Sequence, residues 1–464
     1  MAISVGIAMI SVAMMAIRRI EDFLIYALVF NIPFSIFGKW LFNYRLGFPA
    51  RGISLGLAEV LILASYTLWF SQIFVTRRKP IPRLHKIDYF VFLLLFAQLI
   101  SLIKAPDKLQ GIFDIIYNIK HILIYFFIAH NVKRHNLKWI VVFLLFAILF
   151  ESSIALLERA TGALSVGHTK MNVESAEFGT QASVPGIEDE IRAAGTTLDP
   201  HALGLYYSMI LPIPFVLLTM RFPRLSIRVI LAGILIMGII GLVMTFSRSG
   251  WLSFAISSIF ASGVIVFSWK EGKAVLVAIL ICLAVSLLYP QLYGNIYKRL
   301  FDAPSELIEV RFKMAQTALS IWRQNFFFGY GPGSYLDAIH DPDITLFGYY
   351  DEMEERPVHC AYLWTAAEIG LFGLIAFYGM ILLAIFRCWK MLKCKDLIIR
   401  GLGLGIMTGL IAYMLDGITN MMFREATPYA QLWIYIGLSL SFKRLLKEQT
   451  RHEPSIPQAV PSIT

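Results

Sequence analysis

Apolar residues in this chain fall in long uninterrupted runs, each bounded by charge. Such runs cover 22–38, 52–74, 88–104, 111–130, 138–158, 202–220, 229–246, 250–268, 274–292, 361–386, 401–418 and 428–442. A helix needs about 20 apolar residues to cross a hydrocarbon core of about 30 Å, so the pattern predicts about 12 membrane spans. Residues 2–17 are a thirteenth candidate. At about 1.5 Å per residue they are short for a span, so an interfacial helix fits them equally well. Arg18 and Arg19 follow that stretch instead of preceding it, which does not read as a cleaved signal peptide. The expected fold is all-α and polytopic: one helical membrane domain over residues 1–442, then a tail over 443–464. The proline-rich end of that tail, EPSIPQAVPSIT, predicts partial disorder. No fixed-period repeat is visible.

Composition agrees. Of 464 residues 58% are apolar and 16% charged, with a mean hydropathy of +0.68. That excludes an ordinary soluble enzyme, a disordered chain and a disulfide scaffold. Cys282, Cys360, Cys388 and Cys394 lie in or beside apolar runs without CxxC spacing, so they predict packing residues and neither a zinc site nor a disulfide framework.

The net charge of +10 sits in short loops, which points to membrane topology and away from nucleic acid. Segments 75–87, 131–138, 221–228, 269–273, 387–400 and 443–452 hold 22 basic residues, and basic short loops mark the cytoplasmic side. The two long connections then fall on the far side, in a bacterium the periplasm. These are 159–201, with three basic and six acidic residues, and 294–360, with six and ten. Long loops of this kind are usually functional.

The larger insert contains an amphipathic helix. Placed at 100° intervals, residues 307–324 put Leu307, Val310, Met314, Ala318 and Ile321, with Phe312, Ala315, Leu319 and Trp322, on one arc. Glu309, Lys313, Gln316, Thr317, Ser320, Arg323 and Gln324 take the other. Arg311 lies at about 40°, within the apolar arc. A guanidinium there needs an anion or a route to water: it snorkels or pairs with Asp or Glu, or it meets a phosphate, which its planar fork suits. Ser305 and Glu306 suit the helix start. The glycines of FGYGPGSY beyond its end predict a turn, not a dinucleotide fingerprint, because no strand or βαβ unit surrounds them.

Further arginines gather at the same face. Arg248 lies in TFSRSGWL between two spans, Arg192 and Asp199 lie in IRAAGTTLDPHALG before the next span, and Arg45 and Arg51 flank a short loop. Each reads as an ordinary loop charge; together they predict an anionic, membrane-borne ligand. His359, where the large insert re-enters the bilayer, reads either as a structural histidine or as a general base, its ordinary pKa being near about 6.5. Glu368 follows nine residues later. Asp114, Lys120 and His121 are intramembrane candidates; Asp114 and His121 share a face while Lys120 points about 120° away, which argues against a triad. No HExxH, paired cysteines, Walker or Rossmann pattern is present, so neither a metal nor another cofactor is expected, and the substrate must carry its own leaving group.

Four segments carry a family resemblance: RAAGTTLDPHALG, TFSRSGWL, VRFKMAQTALSIWRQNFFFGYGPGSYL and HCAYLWTAAEIGLFG. In order and spacing they resemble the O-antigen ligase and polymerase superfamily over about residues 190 to 375. The resemblance implies a bacterial inner-membrane glycosyltransferase of the GT-C type, active at the periplasmic face, with an undecaprenyl-diphosphate-linked glycan as donor. It implies that Arg248 and Arg311 hold the diphosphate and that His359 activates the acceptor hydroxyl. Arg192, Asp199, Arg45, Arg51 and Glu368 are expected to bind substrate. His201 stands where the family usually has asparagine.

A ligase of this class uses lipid A-core as acceptor, a polymerase a second carrier-linked repeat; the single large insert followed by the His359 segment resembles a ligase more. A membrane transporter is the rival from another class, favoured by Asp114, Lys120 and His121 but lacking an inverted repeat.

Overall fold

The computed structural model describes residues 20–34, 38–43, 52–161, 183–184, 187–197, 199–220, 224–269, 305–340 and 357–452. Their helices are α1 Ile20–Phe30, α2 Leu57–Phe70, α3 Lys86–Leu102, α4 Lys108–Asn131 and α5 Arg134–Thr161. Then come α6 Pro200–Ile210, α7 Pro212–Thr219, α8 Leu225–Met244, α9 Arg248–Trp269 and α10 Ser305–Gln324. The last are α11 Tyr335–Ile339, α12 Ala361–Met391, α13 Leu397–Asp416 and α14 Ala426–His452. Among the described residues, eight helices are long and apolar enough to cross a membrane. The chain is therefore an all-α, multi-pass membrane protein. The runs 2–17 and 274–292 lie outside the described residues.

Where the boundaries differ from the apolar runs, a local cause is visible. The first run was expected to continue to residue 38, but α1 stops at Phe30 and a 3-10 turn follows over Ile32–Phe34. Pro33 has no N–H to continue the ladder. Gly38–Asn43 then pairs antiparallel with Gly52–Gly56 as a ribbon, β1 and β2, so the next helix begins at Leu57 and not at 52. A second ribbon, Ser183–Val184 with Ile187–Ile191 (β3, β4), lies in the shorter insert. The single run at 202–220 becomes two helices, broken at Leu211, with Pro212 opening the second.

The basic loops collect at one end of the bundle. Glu21 accepts from Lys79 at 3.2 Å and from Lys133 at 2.9 Å, Lys79 also donates to Asn131 at 2.6 Å, and Arg134 pairs with Asp396 at 2.8 Å. Arg444 donates to the carbonyls of His130 and Val132. Segments 75–87, 131–138, 387–400 and 443–452 thus meet, as the alternation of charge requires. The described parts of the inserts lie at the other end, where α5 finishes and α12 begins, called here the insert end.

Helix α12 breaks at Gly370, whose φ of 66° and ψ of −167° are left-handed and non-helical. The chain just after α10 fills the break: Tyr330 N donates to Ala367 O at 2.8 Å and Gly331 N to Glu368 O at 3.0 Å. In return Leu371 N donates to Phe326 O at 2.8 Å and Phe372 N to Phe327 O at 3.3 Å. Irregular backbone at membrane depth is tolerated where protein satisfies its polar groups, and this exchange does so. Glycine is required on both sides. A Cβ at Gly329 would lie 2.3 Å from the Glu368 carbonyl, and one at Gly370 would lie 2.4 Å from that of Phe327.

Candidate functional site

Two helices begin side by side at the insert end. Helices α6 and α9 cross so closely that a Cβ at Gly250 would lie 3.0 Å from the Gly204 backbone, the small-residue contact common between membrane helices. Asp199 caps α6, accepting from His201 N at 2.6 Å and Ala202 N at 2.9 Å. Arg248 is the first residue of α9, reached from α8 through Thr245, Phe246 and Ser247, with the buried Phe246 held at a left-handed φ of 49°. Unusual backbone in a bulky residue persists only where its surroundings fix it.

The segment before α6 is pinned to the same place. Ala193 N donates to Met244 O at 2.9 Å, Arg192 Nε to Thr245 O at 3.0 Å, and Arg192 Nη2 meets His201 Nε2 at 3.3 Å. Glu158 accepts from Ala194 N at 3.0 Å and Gly195 N at 2.9 Å, and Glu151 from Thr196 N at 3.1 Å. The Thr196 hydroxyl contacts Glu151 and the Pro33 carbonyl. These two α5 carboxylates, absent from the sequence-based site, position Arg192. Their signal was two acids seven apart in an apolar run, one face of a helix.

The electrostatics bring three arginines together. Burial pushes Arg192 down to about 10, with Asp199 resisting and the charge of Arg248 adding to the fall. Arg311 is also lowered, by the protein around it and then by Arg248. Arg248 thus lies within electrostatic reach of both, and Arg192 remains charged at neutral pH. Asp199 is raised by burial, against the N–H groups of Ala202 and His201 and the charge of Arg192. Among the described residues no carboxylate forms a salt bridge with Arg192, Arg248 or Arg311. Like charges near the N-termini of α6 and α9 are an arrangement that favours an anion.

Helix α10 carries Arg311 with a face different from the expected one. Met314, Thr317, Ala318, Ser320 and Ile321 are buried, while Phe312 is 63% exposed. Thr317 and Ser320, expected on the polar arc, turn inward because α10 packs on α12, and Thr317 satisfies its hydroxyl on Lys313 O at 3.0 Å. Arg311 is exposed beside the buried face, and Lys313 pairs with Glu309 at 2.7 Å.

His359 precedes α12, and this turn joins the cluster through α13. Ala361 N donates to Gly417 O at 2.8 Å; the adjacent Asp416 accepts from Asn420 Nδ2 at 2.8 Å, and Asn420 also reaches Ser249 Oγ at 3.4 Å, next to Arg248. Asp416 and Asn420 are further residues missed by sequence reasoning; an acid closing the run GLIAYMLDGITN was their only signal.

Glu368 lies elsewhere. It accepts from Arg424 at 3.1 Å and from Tyr335 N at 3.3 Å, and Arg424 also pairs with Asp114. Burial works against the charge of Arg424, yet Asp114 and Glu368 hold its pKa above the usual arginine value. Lys120 turns away to Glu59 at 2.8 Å, and His121 Nδ1 meets Tyr117 O at 2.8 Å. Asp114, Lys120 and His121 therefore form no triad. Arg45 and Arg51 lie outside the described residues. Among the described residues no group of three His, Cys, Asp or Glu is placed to hold a metal ion.

No curated protein matches the chain. Residues 232–378, which include Arg248, Arg311 and His359, match the family model described as O-Antigen ligase, so this stretch of the chain is similar to that family.

Proposed function

We propose that the chain is an inverting, metal-independent glycosyltransferase of the GT-C type in the bacterial inner membrane. It transfers a glycan from an undecaprenyl-diphosphate carrier to an acceptor hydroxyl at the periplasmic face, as an O-antigen ligase acting on lipid A-core. The convergence of Arg192, Arg248 and Arg311 carries this reading, because it supplies excess positive charge where a diphosphate needs it.

In the reaction the acceptor oxygen attacks the anomeric carbon as the bond from that carbon to the diphosphate oxygen breaks. Negative charge grows on the departing diphosphate, and fixed cations stabilise it without having to reorganise. His359 takes the acceptor proton. Direct displacement inverts the anomeric centre, and both lipid-linked substrates enter from the bilayer. Asp199 orders the start of α6 and Arg192. Transport is disfavoured, because Asp114, Lys120 and His121 are each held by a different protein group.

The test uses the full chain in vesicles with undecaprenyl-diphosphate-linked glycan. Transfer to added lipid A-core is expected, and it persists in EDTA. Chain extension without lipid A-core makes the protein a polymerase. Glycan uptake without transfer overturns the reading.

A further inference from the structure

The segment that fills the α12 break also carries an aromatic patch. Trp322 stacks on Phe326 at 5.3 Å, Phe326 meets Phe327 edge-on at 5.2 Å, and Phe327 stacks on Phe372 at 5.9 Å. Buried aromatic clusters are common, but this one is not buried: Phe326 is 42% exposed, Phe327 56% and Phe372 37%.

Two observations say what covers it. From Gly370 to Met391 the continuous part of α12 rises about 31 Å, the thickness of a hydrocarbon core, so Phe372 lies where that core begins. From there an exposed apolar stripe runs along one face through Ile375, Leu382, Phe386 and Trp389, at the spacing of one helical face. A second stripe, Tyr89, Phe92, Phe96, Leu99 and Ile103, runs along α3, which packs on α12. It ends beside Lys104, whose ammonium donates to Asn325 at 3.3 Å, in the residue next to Phe326. Both lipid-facing stripes therefore end at the patch. At the opposite end Trp389, and Phe386 with Lys390 4.3 Å over its ring, repeat the combination of aromatic and cation. Aromatic rings and lysines at the two edges of a span are the usual interfacial anchors.

We propose that Trp322, Phe326, Phe327 and Phe372, with Lys104, form an anchor that seats the larger insert in the phospholipid leaflet at the insert end. The insert is then held at the bilayer surface, with Phe326 and Phe327 among the upper acyl chains and Lys104 at the level of the phosphates. Arg311 lies eleven residues before Trp322 on the same helix, so it stands no more than about 17 Å along the axis from lipid. The inference rests on membrane insertion alone and does not depend on glycosyl transfer.

The test places the photoreactive residue p-benzoylphenylalanine at Phe327 in the full chain, reconstituted into vesicles of phosphatidylethanolamine and phosphatidylglycerol. The same residue at Ile375, on the lipid-facing stripe, gives the reference yield. After illumination, intact mass is expected to rise by one phospholipid at Phe327 with a yield within about threefold of that at Ile375. An adduct between two copies of the chain at Phe327 would make the patch a subunit interface and overturn the proposal. Lipid capture at Ile375 with none at Phe327 would overturn it too, because the segment would then stand in water.

Discussion

Two arginine centres, one with a single arginine and one with three, lie at the insert end, and they are built on opposite terms. Arg424 is enclosed between Asp114 and Glu368, with its backbone carbonyl accepting from Tyr117 at 2.9 Å. Arg192, Arg248 and Arg311 lie near one another, and Asp199 is the carboxylate that resists the fall in Arg192. The first has its charge compensated within the protein, by two acids for one base. The second has excess positive charge beside two helix N-termini. An arginine at a membrane boundary is therefore not a ligand site by virtue of its charge; the number and placement of its acidic partners decide. Glu368, expected to bind substrate, sits with the compensated arginine.

The comparison can be broken most severely at Arg424. Replacing one member of a buried, paired set leaves the others uncompensated, which costs about 3–5 kcal/mol. Arg424→Ala should therefore melt well below the parent in detergent, or fail to accumulate folded. Adding Asp114→Asn and Glu368→Gln removes the orphaned charges and should recover much of the loss. If Arg424→Ala alone kept the parental melting temperature, the description of this centre as a structural lock would be wrong.

At the other centre the expected loss is in chemistry. His359→Ala should stay folded and bind donor while turnover falls by about 10²–10⁴-fold, the usual contribution of a general base. Donor binding and turnover measured at matched membrane abundance separate the two effects, and normal turnover would remove the base assignment. A smaller loss, about 10²-fold in turnover, is expected for Arg248→Lys and Arg311→Lys. Lysine keeps the charge but loses the planar fork, and the two are not interchangeable at a bidentate phosphate site. Stability should hardly change, unlike at Arg424, and a large fall in melting temperature would erase the distinction between the centres.

How far these features were legible depended on the range of the interaction. Apolar runs and loop charge anticipated the helices and the gathering of basic loops, because both follow from local composition. Arg192 and Arg248 were singled out by their positions relative to the spans, and Arg311 by its place within the apolar arc of an amphipathic helix. What could not be read were pairings across hundreds of residues, such as Asp114 with Arg424, or Lys104 with Asn325. The break at Gly370 was equally hidden. Its glycine is one of many in apolar runs, and only the docking of Phe326–Gly331 makes a left-handed residue necessary there. The face of α10 was misjudged for a related reason. A helical wheel ranks residues by polarity, but Thr317 can bury its side chain by bonding the preceding turn.

That misjudged face supplies the finest test. Lys313 and Arg311 are two residues apart on α10, about 200° around the axis, and both are basic. Lys313 is already paired with Glu309 one turn away, at 2.7 Å, and this i,i+4 contact lies at the surface, where ion pairs contribute little. Arg311 feels Arg248 and forms no salt bridge among the described residues. Lys313→Ala should therefore change turnover by less than about twofold, and added salt should not alter its ratio to the parent, because an exposed pair is already screened. Arg311→Lys in the same assay should show the far larger loss given above. If the two variants lost activity equally, general positive charge on the insert would be sufficient, and the assignment of Arg311 to a geometrically defined diphosphate site would fall.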